Sequence, residues 1–184
     1  TAEMLQQSTD LALEYDVPIH IHIAETEQEV EEQLVNRDQL VVPWIEDQGL
    51  FEAKVTAHHC VHLDENQLRT MRRYGAGISH NPSSNLKLSS GFAPVALMLG
   101  VGIPVAIGTD GAASNNDLDM FEEMRLAALL AKGASNDPTA LPARQALAMV
   151  TRLGAEALHI ADRTGSLEPG KRADVAIVDL QRIH

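Results

Sequence analysis

Apolar residues along this chain follow two alternating rhythms. Runs of β-branched and apolar residues at 17–24, 53–60, 76–80 and 103–109 have the length and composition of buried strands. Between them the apolar positions stretch out to a helical period. The spacing predicts helices over 1–15, from Thr26, over 38–48, from Asp64 to Gly75, over 92–100, from Asn116 or Asp117 to Lys132, and from Pro142 to about Leu158. Thr26 with Glu29 reads as a capping box, Asp64 as a cap, and Gly49, Gly75 and Gly133 as helix stops. His80-Asn-Pro-Ser-Ser-Asn85 reads as a turn-rich loop, and Val175-Ala-Ile-Val178 as a further strand outside the main sheet.

Strand followed by helix, four times over, is the pattern of a parallel α/β architecture. Titratable groups gather where the strands end, the place where β/α barrels carry their active sites. A closed barrel needs eight such units and typically about 250 residues, against 184 here. Four units leave two strand edges open, a poor stopping point, so the chain is expected to be a piece of a longer protein.

Composition narrows the picture further. Hydrophobic residues make up 45% of the chain, enough for a sizeable core, but aromatics only 3%, so that core must be aliphatic. The formal charge of -12 argues against nucleic acid and anionic membrane partners, which call for basic patches. Cys60 is the only cysteine, so an intrachain disulfide is excluded and a reducing, cytoplasmic setting is expected. No apolar run approaches transmembrane length.

The chemistry concentrates at four strand ends. His20 and His22 share a strand face, a common arrangement for zinc, although hydrogen-bonded core histidines show the same spacing. Glu25 follows just past the strand end, placed for general acid/base work or for a helix N-terminus. His58 and His59 end the second strand, and alternation lets only one of them face the interior. His62 reads as a loop residue and Cys60 as a small buried hydrophobe. His80 either contacts substrate or satisfies its own loop. Asp110, between Gly108 and Gly111 at the end of the fourth strand, could bind a metal ion, accept a proton from water or cap a turn.

Together His20-Ile-His-Ile-Ala-Glu-Thr26, Ala57-His-His-Cys-Val-His62, His80-Asn-Pro-Ser-Ser-Asn-Leu-Lys-Leu88 and Gly108-Thr-Asp-Gly-Ala-Ala-Ser-Asn-Asn-Asp-Leu-Asp119 resemble the amidohydrolase superfamily. Within it they are most similar to the 5-methylthioadenosine/S-adenosylhomocysteine deaminases, which are related to the triazine chlorohydrolases. The resemblance implies the C-terminal half of a (β/α)8 metal-dependent hydrolase barrel. Residues 1–160 would supply strands five to eight, and 161–184, with the Gly165-Ser-Leu-Glu-Pro-Gly-Lys stretch, would start a small β domain. It implies His22 and Asp110 as ligands of one divalent metal ion, Zn2+ or alternatively Fe2+. Glu25 becomes the acid/base that also touches the purine. His59 becomes the residue orienting the attacking water, and Asp110 the acceptor of its proton and a substrate contact. His20 is not a ligand on this reading.

The implied activity is hydrolytic deamination of an adenine nucleoside with release of ammonia. The family's strand-one H-x-H ligand pair is absent from this sequence. The chain is therefore expected to bind metal weakly and to be inactive alone, needing the N-terminal half of the barrel or a complementary chain. Homo-oligomerisation is left open. Alternatives are another amidohydrolase (a guanine deaminase or triazine chlorohydrolase), a non-catalytic half-barrel, or a shorter hydrolase in which His20 and His22 are the first-strand pair and His59 a further ligand.

Overall fold

The computed structural model describes residues 1–179 and 181. Four parallel strands form one sheet in chain order: β1 (Ile19–Ile23), β2 (Val55–His59), β3 (Gly77–His80) and β4 (Val105–Ile107). Each strand follows helical connections, as parallel pairing requires. The helices are α1 (Ala2–Tyr15), α2 (Glu27–Arg37), α3 (Val41–Asp47), α4 (Glu65–Arg73), α5 (Pro82–Lys87), α6 (Val95–Val101), α7 (Ala112–Asn115), α8 (Met120–Ser135), α9 (Ala143–Met149) and α10 (Arg152–Ala157).

The Ile-His-Ile-His-Ile alternation of β1 sets the two faces of the sheet. In register, His22 pairs with His58, His58 with Ser79, and Ser79 with Ala106. One face therefore carries His20, His22, Thr56, His58 and Ser79. The other carries Ile23, Val55, Ala57, Ile78, Val105 and Ile107, which join Val42, Ile45, Leu68, Met71, Met98 and Met149 in the aliphatic core under the helices. The lower end of the polar face is covered by α10. Thr56 Oγ1 donates to the Ala157 carbonyl at 2.7 Å. Gly77 lies so close to that carbonyl that a Cβ there would overlap it.

The caps explain several boundaries. Asp64 and Gln67 form a reciprocal capping box on α4. At α2 the box is redirected: Thr26 accepts from Glu29 N–H, but the Glu29 carboxylate reaches past Thr26 to the N–H groups of Ala24 and Glu25, at 3.0 and 2.9 Å.

Four expectations are corrected. Residues 82–87 are not a loop but the short helix α5, because Pro82 sits at its first turn, where a missing N–H costs nothing. The long helix starts later, at Met120, since Asp119 supplies the cap and α7 occupies the preceding residues; it runs through Gly133 and stops at left-handed Asn136. The stretch after Pro142 is two helices, broken at Thr151, whose backbone is not helical. Residues 175–178 form no strand: no neighbouring strand among the described residues pairs with them, and Ile177 is 95% exposed. Leu180 and residues 182–184, the end of the segment expected to enter a small β domain, lie outside the described residues.

Candidate active site

The C-terminal ends of adjacent parallel strands bring three of the expected residues together. His22 is on the polar face of β1. Glu25 follows after a left-handed turn at Ala24 (φ 49°), where the two N–H groups taken by Glu29 fix the backbone. His59 ends β2. Strand alternation alone would send its ring away from His22, since His58 holds the paired position. His59 and Cys60 are both left-handed, however, at φ 66° and 51°. Both rings end up against His22, with centroids 5.6 Å away for His58 and 5.0 Å for His59, each edge to face.

One donor atom each from His22, Glu25 and His59 lies within 4.8 Å of the others. His59 is buried, and its Nε2 has no hydrogen-bond partner; Glu25 Oε2 lies 3.8 Å from it. Two imidazoles and a carboxylate, with a buried unpartnered ring nitrogen among them, are a donor set suited to a divalent ion such as zinc.

Asp110, at φ 60° after β4, is outside that group of three. Its Oδ2 accepts from Ser84 and Ser114 hydroxyls, both at 2.7 Å. Partial burial pushes its carboxyl upward, but those hydroxyls, the Gly111 N–H and the nearby His59 outweigh it and bring the pKa down to about 2. Gly108 is required just before: a Cβ there would lie 2.6 Å from Asn81 Oδ1 and 2.7 Å from Ser79 Oγ.

The other histidines separate by environment. His20 is exposed, and its Nδ1 lies 3.1 Å from His58 Nε2. Burial, then repulsion from His20, His22 and His59, lowers His58 to about 4, so it stays neutral. His62 donates to the Ser90 carbonyl at 2.7 Å, a loop role as expected. His80 is buried on the helix side, neither ring nitrogen is partnered, and burial lowers it to about 4. It lines a cavity of about 10 Å³ with Pro82, Asn85 and Phe92. It is therefore packed behind the rim.

Sequence reasoning passed over Ser84, Asn85, Ser90 and Ser114. Asn85 Oδ1 lies 2.7 Å from His59 Nδ1, and Ser90 Oγ donates to Glu25 Oε1 at 3.3 Å. The available signal was Pro82: read as a helix start rather than a turn, it would have put Ser84 and Asn85 on an ordered turn facing the strand ends.

The model of the amidohydrolase family matches residues 1–184. The chain belongs to the amidohydrolase family. Among curated amidohydrolase relatives it is 52% identical over 171 residues to the 5-methylthioadenosine/S-adenosylhomocysteine deaminase of Desulforudis audaxviator, covering 93% of this chain and 40% of that protein. It is 47% identical over 184 residues to the protein of the same name from Moorella thermoacetica, covering 100% of this chain and 43% of that one. The chain thus spans about two fifths of the length of these relatives.

Among solved amidohydrolase structures, an adenosine deaminase from Xanthomonas campestris with bound zinc superposes with a TM-score of 0.90 at 41% identity, over 95% of this chain and 40% of that one. An atrazine chlorohydrolase from Arthrobacter aurescens TC1 complexed with zinc gives 0.86 at 29% identity, over 94% and 38%. The four-stranded parallel sheet is thus part of a (β/α)8 amidohydrolase barrel. No helix among the described residues is long and apolar enough to cross a membrane.

Proposed function

We propose that this chain carries the general acid/base and part of the metal site of a hydrolytic deaminase acting on an adenine nucleoside of the 5-methylthioadenosine/S-adenosylhomocysteine type. The observation that carries this reading is the convergence of His22, Glu25 and His59 at adjacent strand ends, in a chain about half identical to proteins of that name. His22 offers an imidazole nitrogen to a divalent ion, with Asp110 as the further ligand from the last strand. When bound, such an ion supplies the Lewis acidity that makes water nucleophilic near neutral pH.

The chain's own groups do the rest. His59 holds the attacking water through Nε2. Asp110, ionised at any pH near neutrality, accepts the proton that water loses. Glu25, one carboxylate oxygen held by Ser90 and the other free towards the site, protonates the ring nitrogen next to the attacked carbon, so the electron pair of the broken C=N has a place to go. As the tetrahedral adduct collapses, Asp110 passes its proton to the amino group, the C–N bond breaks and ammonia leaves, and the adduct hydroxyl returns a proton to Glu25. A glutamate that moves protons without needing to bind the metal is the logic of nucleobase deaminases generally.

Residues 1–160 are assigned to the barrel and 161–184 to the passage out of it. The purine nucleoside is the small-molecule partner, the remaining barrel strands are the macromolecular one, and the cytoplasm is the compartment. The similarity to the triazine enzyme supports a second reading, hydrolysis of another nitrogen heterocycle on the same metal core. Ammonia release by the full-length protein from methylthioadenosine, adenosylhomocysteine, adenosine and guanine, with chloride release from atrazine, separates the two. Turnover of atrazine or guanine alone sinks the nucleoside assignment.

A further inference from the structure

The segment from His80 to Ser90 is given no part in the proposed binding or proton transfer, yet it touches three of the four residues that are given one, Asp110, His59 and Glu25. Ser84 Oγ donates to Asp110 Oδ2 at 2.7 Å. Asn85 Oδ1 meets His59 Nδ1 at 2.7 Å. Ser90 Oγ donates to Glu25 Oε1 at 3.3 Å. All three side chains belong to buried residues.

Hydrogen bonds also tie them into one unit. Ser90 N–H donates to the Asn85 carbonyl at 2.8 Å, which ties the turn back onto α5. One end of the unit is anchored by buried Glu123, whose carboxylate accepts from Ser83 N–H and Asn115 Nδ2 at 3.1 and 2.7 Å. The other end is anchored by His62, which donates to the Ser90 carbonyl. Residues from three different strands, β1, β2 and β4, are thereby referred to one short segment.

We propose that α5 and its following turn are a positioning element that aims Asp110, His59 and Glu25 through Ser84, Asn85 and Ser90, and that Asn85 fixes His59 in the tautomer protonated on Nδ1. A carbonyl oxygen at Nδ1 can only accept, so the ring proton sits there and Nε2 keeps its lone pair. That lone pair faces Glu25 and the three-donor group. It is the state that can take a hydrogen bond from water or bind a cation. With the Asn85 amide turned the other way, its nitrogen would donate to Nδ1 and the proton would move to Nε2.

The catalytic meaning rests on the proposed deaminase function; the tautomer does not. The deciding experiment is nitrogen NMR of the histidine rings in the full-length protein labelled with 15N-histidine. His59 should show a protonated Nδ1 and a bare Nε2. Asn85→Ala should lose that preference, and Asn85→Asp, which keeps the acceptor, should restore it. A proton on Nε2 in the unsubstituted protein overturns the proposal, as does a pattern that Asn85→Ala leaves unchanged. The unsubstituted spectrum and Asn85→Asp decide the point even if Asn85→Ala fails to fold.

In steady-state assays, Ser90→Ala and Ser84→Ala should each lower kcat by about 10- to 100-fold with KM little changed. An unchanged kcat, or a loss confined to KM, removes the positioning role. Absence of turnover on any nucleoside counts against the deaminase reading, while the ring-nitrogen result stands by itself.

Discussion

In the proposed mechanism, Glu25 is the residue on which the chemistry turns. Ser90 holds one of its oxygens and the other faces His59. Replacing it by Gln keeps the size and the hydrogen bond while removing the proton. Glu25→Gln in the full-length protein should lower kcat by about 10²–10⁴-fold with bound metal unchanged, as checked by ammonia release and elemental analysis; full turnover removes the acid/base assignment. His80 makes a different claim. Buried and unpartnered, it is pushed down to about 4, whereas in an unfolded chain it titrates near the ordinary histidine value of about 6.5. Between those values the unfolded chain binds a proton that the folded one refuses, so stability falls as the pH drops from about 6.5 to 4 and levels off below. His58 adds to the same window. His80→Leu should flatten the urea-midpoint profile over that range, by up to about 3 kcal/mol, and an undiminished slope assigns the effect elsewhere. At this scale the sequence was only partly legible. His22, Glu25 and Asp110 could be read because strand alternation and flanking glycines place them. His59 could be chosen over His58 only through a family likeness, because two successive left-handed residues at the strand exit override the alternation.

Among the elements, the four strands were readable within two residues at each end, because the apolar runs are short, β-branched and bounded by turns. The failures are instructive. Short helices such as α5 and α7 carry too few residues for a period to show, and Thr151 breaks the last helical stretch without any proline or glycine at the break. Packing decides these, and packing is non-local. The seating of α10 on β2 and β3 is the clearest case: glycine stands at the start of β3 because only hydrogen fits under the Ala157 carbonyl at Gly77, and Thr56 bonds that same carbonyl from the neighbouring strand. Gly77→Ala must push α10 away from the sheet, and it should destabilise the fold by about 1–3 kcal/mol. The check is a chemical denaturation series alongside Thr56→Val, which strands the same carbonyl and should cost about 1–3 kcal/mol. A neutral Gly77→Ala would mean that α10 is not seated there. The two substitutions share a partner, so their effects should not add.

For the molecule as a whole, the sheet's outer strands decide what the chain can do alone. Among the described residues β1 and β4 each have a single neighbour, and His20 and His22 are exposed along the first of them. Met4, Leu11 and Leu13 of α1 are also at least half exposed. These features agree with a chain that spans about two fifths of its relatives. They also bear on metal affinity. Zinc prefers four ligands held in fixed geometry. Here His22 is on an open edge, the three-donor group excludes Asp110, and Asp110 already holds two hydroxyls. Binding would have to order the exposed imidazole and compete with those hydroxyls, so the free energy available is small. The isolated 184-residue chain should retain well under one equivalent of zinc after dialysis, and His22→Ala should lower that residue no further. Near-stoichiometric zinc in the isolated chain, lost on His22→Ala, would show that the site is complete without further strands and would return His20 to consideration as a ligand.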